Sequence, residues 1–124
     1  MKKIIIAEDQ AHIRRLIEQS LEELEDEGIE LLFAEDGEQA LALFHEHRPL
    51  LLLLDVMMPK LDGFEVCARV RQDPDNQPVH IIILTAKGQE YDRAAGERSG
   101  ANQYLTKPFN PDALLATVRQ ALGV

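Results

Sequence analysis

The chain is short of cysteine and of positive charge. Cys67 is the one cysteine in 124 residues, so no internal disulfide can form. Such a chain fits a reducing compartment. Cys67 lies among apolar helix positions and reads as a small core residue. Basic residues number 13 against 22 acidic ones, a formal net charge of -9. That balance excludes binding to nucleic acid by bulk attraction, and there is neither a basic stripe nor a zinc-finger spacing. No apolar run is long enough to span a bilayer. The opening "MKKIIIAED" has a basic start and an apolar run, but Glu8 and Asp9 arrive too soon for a signal peptide. Linkers, repeats and low-complexity segments are also lacking. What is left is a cytoplasmic chain of one domain, residues 1–124. It is long enough to build a core without disulfide or metal staples. Neither membrane nor nucleic acid is expected as a direct partner.

What the sequence does have is order. Short apolar runs recur at Ile4 to Ala7, Ile29 to Ala34, Leu50 to Leu54, Val79 to Leu84 and Gln103 to Leu105. All are strand length. Between them apolar residues follow the spacing of one helix face. Ile13, Leu16, Ile17, Leu21 and Leu24 predict one helix, and Ala40, Leu43, Phe44 and His47 a second. Phe64, Cys67 and Val70 predict a third, Tyr91, Ala94 and Ala95 a thin fourth, and Leu114, Val118, Ala121 and Leu122 a fifth. Asp36 with Gln39 three residues on is a variant of the capping box. Asn110 can cap a helix that starts at Pro111 with Asp112 in its first turn. The acid-rich stretch Glu22 to Glu27 reads as a solvated helix end. The order βαβαβαβαβα predicts an α/β fold, a doubly wound five-stranded parallel sheet with helices on both faces.

In such a sheet ligands bind outside the carboxyl ends of the strands. The stretch "LLLLLDVMMPKLDG" shows what can stand there. Its leucines suit a central strand buried on both faces. A carboxylate after them is costly to bury alone and belongs at the rim with water, a metal or a partner. Asp55 could instead merely start the turn formed by Pro59 and Asp62-Gly63, and this stretch alone does not decide. The other strand ends add weight. The first strand ends in Glu8-Asp9, the fourth in Thr85-Ala86-Lys87, and the fifth in Thr106-Lys107-Pro108-Phe109.

Three acids, a hydroxyl and an ammonium at one edge make a coherent chemistry. Gathered carboxylates repel and raise at least one pKa. Hard oxygen ligands favour Mg²⁺, which uses one or two carboxylates together with phosphate oxygens. Asp55 can then act as a nucleophile towards phosphorus. Lys107 can pair with Asp55 and later with phosphoryl oxygens, and the Thr85 hydroxyl can hydrogen-bond one of those oxygens. Phosphoryl transfer asks for little more than positioning and charge.

At this point the sequence resembles the receiver domain of two-component response regulators. The matching pieces are "IIIAED", "LLLLDVMMPKLDG", "IIILTA" and "YLTKPF", in the family's order and spacing and across essentially the whole chain. The resemblance implies a flavodoxin-like (βα)5 fold with strand order 2-1-3-4-5. It implies phosphorelay signalling, with Asp55 as the phosphorylated residue. Asp9 would be a direct Mg²⁺ ligand, Glu8 would reach the metal through water, and Met57 would offer its backbone carbonyl. Thr85 and Lys107 take the roles just given, and Ala86 keeps the approach open. Tyr104 would be the switch aromatic, turning inward when Thr85 moves. The Lys107–Pro108 bond is expected to be cis. There are departures. Glu8 stands where aspartate is commoner. Asn102 and Gln103 stand where members often carry two acids, against a charged dimer face. Met57 offers no side-chain ligand or base to an attacking water.

The expected function is to accept a phosphoryl group from a histidine kinase or a histidine phosphotransfer protein and then to change a binding surface. The chain would assist its own phosphorylation and dephosphorylation without being an enzyme in the ordinary sense. The kinase would meet Ala11, Arg14, Arg15 and Phe109. A downstream protein target would be read on the thin fourth helix, the fifth strand and the last helix, with the segment "EYDRAAGERSGA" the least stable helix. Three alternatives stand beside this. A metal-dependent aspartyl-phosphate phosphatase would want a second Asp where Met57 stands. A flavin or nucleotide binder would want glycines or hydroxyls where "EDQAH" stands. A phosphorylation-independent binding module would not need the whole acid, threonine and lysine set. His12, His45, His47 and His80 read as structural or surface residues.

Overall fold

A computed structural model of the chain describes residues 2–73, 78–86 and 100–124, Ala86 by its backbone alone. The five strands are β1 (Lys3–Ala7), β2 (Glu30–Ala34), β3 (Leu51–Asp55), β4 (His80–Ala86) and β5 (Gln103–Lys107). Helices among the described residues are α1 (Ala11–Ser20), α2 (Glu22–Asp26), α3 (Gly37–His47), α4 (Gly63–Gln72) and α5 (Pro111–Leu122). The fourth helix expected around Tyr91, Ala94 and Ala95 lies outside the described residues, as does Lys87.

The strands form one sheet in the order β2-β1-β3-β4-β5, and every neighbouring pair is parallel. Successive side chains of a strand point to opposite faces, and here both faces are covered. Ile5, Leu52, Leu54, Ile81 and Ile83 pack with Ala40 and Phe44 of α3 and Val66, Cys67 and Val70 of α4. On the opposite face Ile4, Ile6, Leu51, Leu53, Ile82 and Leu84 pack with Ile17, Leu21 and Leu24 and with Leu114 and Val118 of α5. The unbroken leucine run of β3 is therefore the mark of a strand with no solvent face.

The caps form as the residue types predict. Asp36 accepts from the Gln39 amide at 2.8 Å, while the Gln39 side chain accepts from the Glu35 amide at 2.7 Å. Asn110 accepts from the amides of Asp112 and Ala113 at 2.8 and 3.2 Å. Asp62 caps α4 by accepting from Glu65 at 2.9 Å. The first helix departs from expectation. It breaks at Leu21, whose carbonyl accepts from the Leu24 amide at 2.9 Å. Leu21 and Leu24 both stay buried. A three-residue step serves an α-helix and a tight turn alike, so the apolar spacing could not reveal the break.

The segment from Val56 to Asp62 is held close under the end of β3. Val56 donates to Leu84 at 3.2 Å, and Gly63 donates to Val56 at 3.0 Å. A Cβ on Gly63 would lie 2.4 Å from the Asp55 carbonyl oxygen, and one on Gly37 would lie 2.1 Å from that of Leu61. Both neighbours are backbone, which cannot swing aside. Gly63→Ala is expected to destabilise the chain by roughly 1–3 kcal/mol, the usual cost of overpacking. Urea unfolding measures it, and an unchanged midpoint would mean that the loop can retreat from Asp55 at no cost.

Candidate functional site

Strand register brings the candidate residues to one edge. Ala7 lies level with Leu54, Asp55 with Leu84, and Thr85 and Ala86 with Thr106 and Lys107. Glu8 and Asp9 follow β1 directly, so the acids of two strands and the lysine of a third converge at the carboxyl ends. Asp55 closes β3 as its last paired residue and is not a loop acid.

Lys107 ties the edge together. Its Nζ lies 2.7 Å from Asp55 Oδ1 and 2.7 Å from Glu8 Oε1. Glu8 is 0% exposed and Asp55 4%, so both charges depend on this partner. Asp9 is exposed. Glu8, Asp9 and Asp55 each offer an oxygen within 4.8 Å of the others, and no other group of three such ligands occurs among the described residues. Burial holds the Asp55 carboxyl above its ordinary range against the pull of Lys107, and the charge of Asp9 adds to the rise. Glu8 is likewise raised by burial and by Asp55, again against Lys107. Burial alone would lower the Lys107 ammonium, but its bonds to Asp55 and Glu8 outweigh that and raise it. Glu8 and Asp55 share one ammonium, Asp9 stands beside them without one, and the three acids remain under-compensated. An all-oxygen donor set with excess negative charge fits a hard divalent cation such as Mg²⁺.

Thr85 is buried on β4, one residue beyond the position level with Asp55. Tyr104 is half-buried on β5, level with Ile83, and packs against the core on the α3 and α4 side. Met57 is 65% exposed. The Lys107–Pro108 peptide is cis. Of the four residues expected to meet a kinase, Ala11 and Arg15 are exposed and Phe109 is half-buried. Arg14 differs, because its Nη1 turns inward and donates to the Glu8 carbonyl at 2.7 Å. Nothing in the pattern "HIRRLI" tells which arginine points inward. The close approach of Gly63 to Asp55 had a visible sign in Asp62-Gly63, but that pair marks a turn and not its neighbour. Cys67 is buried as read. His80 faces Gln103 Oε1 at 2.9 Å, and His47 lies 3.1 Å from the Lys3 ammonium.

A parallel five-stranded sheet with this order and an acid-lined carboxyl edge is a flavodoxin-like α/β fold. More narrowly, residues 4–119 match the model of the response regulator receiver domain, and the chain belongs to that family. It is 46% identical over 121 residues to a protein of Galdieria sulphuraria named as a probable transcriptional regulator, ycf27, covering 98% of this chain and 45% of that one. It is 42% identical to the alkaline phosphatase synthesis transcriptional regulatory protein PhoP of Bacillus subtilis (strain 168), covering 98% of this chain and 48% of that one. The chain thus spans about half the length of the curated relatives it matches. Among solved structures it superposes on the chemotaxis protein CheY4 of Vibrio cholerae with a TM-score of 0.85 at 33% identity, over 98% of each chain. The chain is a receiver domain of two-component response regulators.

The excess of carboxylates has a measurable consequence for the metal-free protein. A carboxyl whose pKa is higher in the folded chain than in the unfolded one stabilises the fold while protonated. That contribution is lost as pH rises through the carboxyl range. Asp55→Asn removes one of the repelling charges, and Lys107 keeps Glu8. The variant is expected to unfold at higher urea than the parent at pH 7 without divalent cations. The gap should close as pH falls into the carboxyl range. A variant less stable than the parent at pH 7 would show that the Lys107 bond outweighs the burial of Asp55.

Proposed function

We propose that residues 1–124 form a single cytoplasmic receiver domain that takes a phosphoryl group onto Asp55 from the phosphohistidine of a histidine kinase or a histidine phosphotransfer protein. The observation that carries this reading is the Lys107 ammonium, 2.7 Å from both Asp55 and Glu8 at the sheet's carboxyl edge. An Asp55 carboxylate oxygen attacks phosphorus, the bond from phosphorus to the donor imidazole breaks, and that nitrogen keeps the electron pair. The product is an aspartyl phosphate and a free histidine. Lys107 can then pair with a phosphoryl oxygen while Glu8 keeps hold of it, so the ammonium need not leave the site. Thr85, one residue beyond the position on β4 level with Asp55, would answer another phosphoryl oxygen with its hydroxyl.

Glu8, Asp9, Asp55 and the carbonyl of Met57 would hold Mg²⁺, Glu8 by way of water. When bound, the cation supplies positive charge to offset the carboxylates and the incoming phosphoryl oxygens. The same groups would assist hydrolysis of the aspartyl phosphate, with Met57 lending no side-chain base.

Movement of Thr85 towards the phosphoryl group would let Tyr104 turn inward, and the face made by the thin helix expected around Tyr91, Ala94 and Ala95 with β5 and α5 would be read by a downstream protein. The net charge of -9 supports a protein target over direct contact with nucleic acid. Incubation with acetyl phosphate and Mg²⁺ is expected to add one phosphoryl group, by mass, and Asp55→Ala to abolish it. Undiminished labelling of Asp55→Ala would refute the assignment.

A further inference from the structure

Arg14 stands at the start of α1, yet its side chain is only 19% exposed. Its Nη1 donates to the backbone carbonyl of Glu8 at 2.7 Å. Its Nη2 lies 3.4 Å from Glu35 Oε1, on a side chain 70% exposed. A pair that long and that wet contributes little, so Glu35 does not explain why the guanidinium turns inward. The Glu8 carbonyl does. Glu8 is wholly buried, and a buried carbonyl is costly without a donor.

That carbonyl belongs to the peptide joining Glu8 to Asp9, and the orientation of this peptide decides where both acids point. The turn is held at two further places. The Glu8 amide donates to the Ala34 carbonyl at 3.0 Å, and the Gln10 amide donates to Glu8 Oε2 at 3.2 Å. Arg14 closes the remaining side. A planar guanidinium, charged at any pH the fold survives, fixes an acceptor's direction better than a flexible ammonium.

We propose that Arg14 is a positioning residue for the acidic pair. It holds the Glu8–Asp9 peptide so that both carboxylates meet Asp55, and thereby preorganises the cation site. This deepens the cation-assisted reading above and rests on it. It also turns Arg14 away from the surface offered to a kinase and leaves Ala11, Arg15 and Phe109 there. Charge and geometry act in opposite senses, because a cationic side chain beside the acids opposes Mg²⁺ while a fixed turn favours it. The sign of the change on removing Arg14 therefore separates the two.

The test is Mg²⁺ titration of the whole chain by calorimetry, together with the solvent-exchange rate of the Gln10 amide by NMR. Arg14→Met is expected to weaken Mg²⁺ binding about ten-fold, the usual scale for a group that orients a metal ligand, and to speed Gln10 exchange. Arg14→Lys should restore part of both, and Glu35→Gln should change neither. Where Arg14→Met does not fold, Arg14→Gln takes its place with the same expected direction. Parental or tighter Mg²⁺ affinity in Arg14→Met, while Asp9→Asn loses binding, would overturn the positioning role alone. If Asp9→Asn also binds Mg²⁺ as the parent does, the cation reading fails. Gln10 exchange then decides, a faster rate supporting the role of Arg14 and an unchanged one overturning it.

Discussion

One ammonium held between two buried carboxylates is the constraint on which this structure depends. Lys107 is the last residue of β5, Asp55 the last of β3, and Glu8 follows β1. Since β4 separates β3 from β5, Lys107 must reach across about two strand spacings, roughly 9–10 Å. Only a long side chain at the very end of its strand can do so. The reach works in one register alone, because a slip by one residue would turn Lys107 to the other face. The sheet's apolar packing and its one charged edge thus specify the same alignment. Gly63 adds to this by letting the following loop close directly beneath the Asp55 carbonyl.

Much of the fold was legible because its signals are local and repeat. Apolar runs of strand length, helical spacing between them and the side-chain caps at Asp36 and Asn110 each follow from a few adjacent residues. The carboxyl-edge rule then gathered Glu8, Asp9, Asp55, Thr85 and Lys107 before any distance was known. The unread parts depend on partners far along the chain. The break at Leu21 is hidden because Leu21 and Leu24 are buried whichever way the backbone goes. The inward turn of Arg14 is set by a carbonyl that no pattern of side chains reveals.

Asn102 and Gln103 show how a departure from a family pattern gains meaning only in three dimensions. In the sequence they are amides where acids are frequent. In the structure the Asn102 side-chain oxygen accepts from the Ile81 amide at 2.8 Å and from Arg71 Nη2 at 2.7 Å. Arg71 also donates to the carbonyls of Gly100 and Val79, each at 2.9 Å. Gln103 meets His80 at 2.9 Å. These amides anchor the start of β5 to β4 and to the end of α4. Their polar atoms serve the chain's own register, so the loss of acidity is a change of work and not merely an absence.

The edge also explains why a stable fold would keep an unstable arrangement. An ordinary core would replace Glu8 and Asp55 with apolar residues, since a buried ion pair seldom improves on well-packed hydrocarbon. Here the strands below are all but continuous hydrocarbon, and the chain can carry a local deficit at their ends. Carboxylates in excess of the Lys107 ammonium leave negative charge at that edge which an added cation would offset. The same imbalance makes the edge responsive, because a group already near neutrality would gain little from a cation or a modification. Apolar strands that hold their register and a charged rim that is left unsatisfied are therefore two halves of one design, the first making the second tolerable.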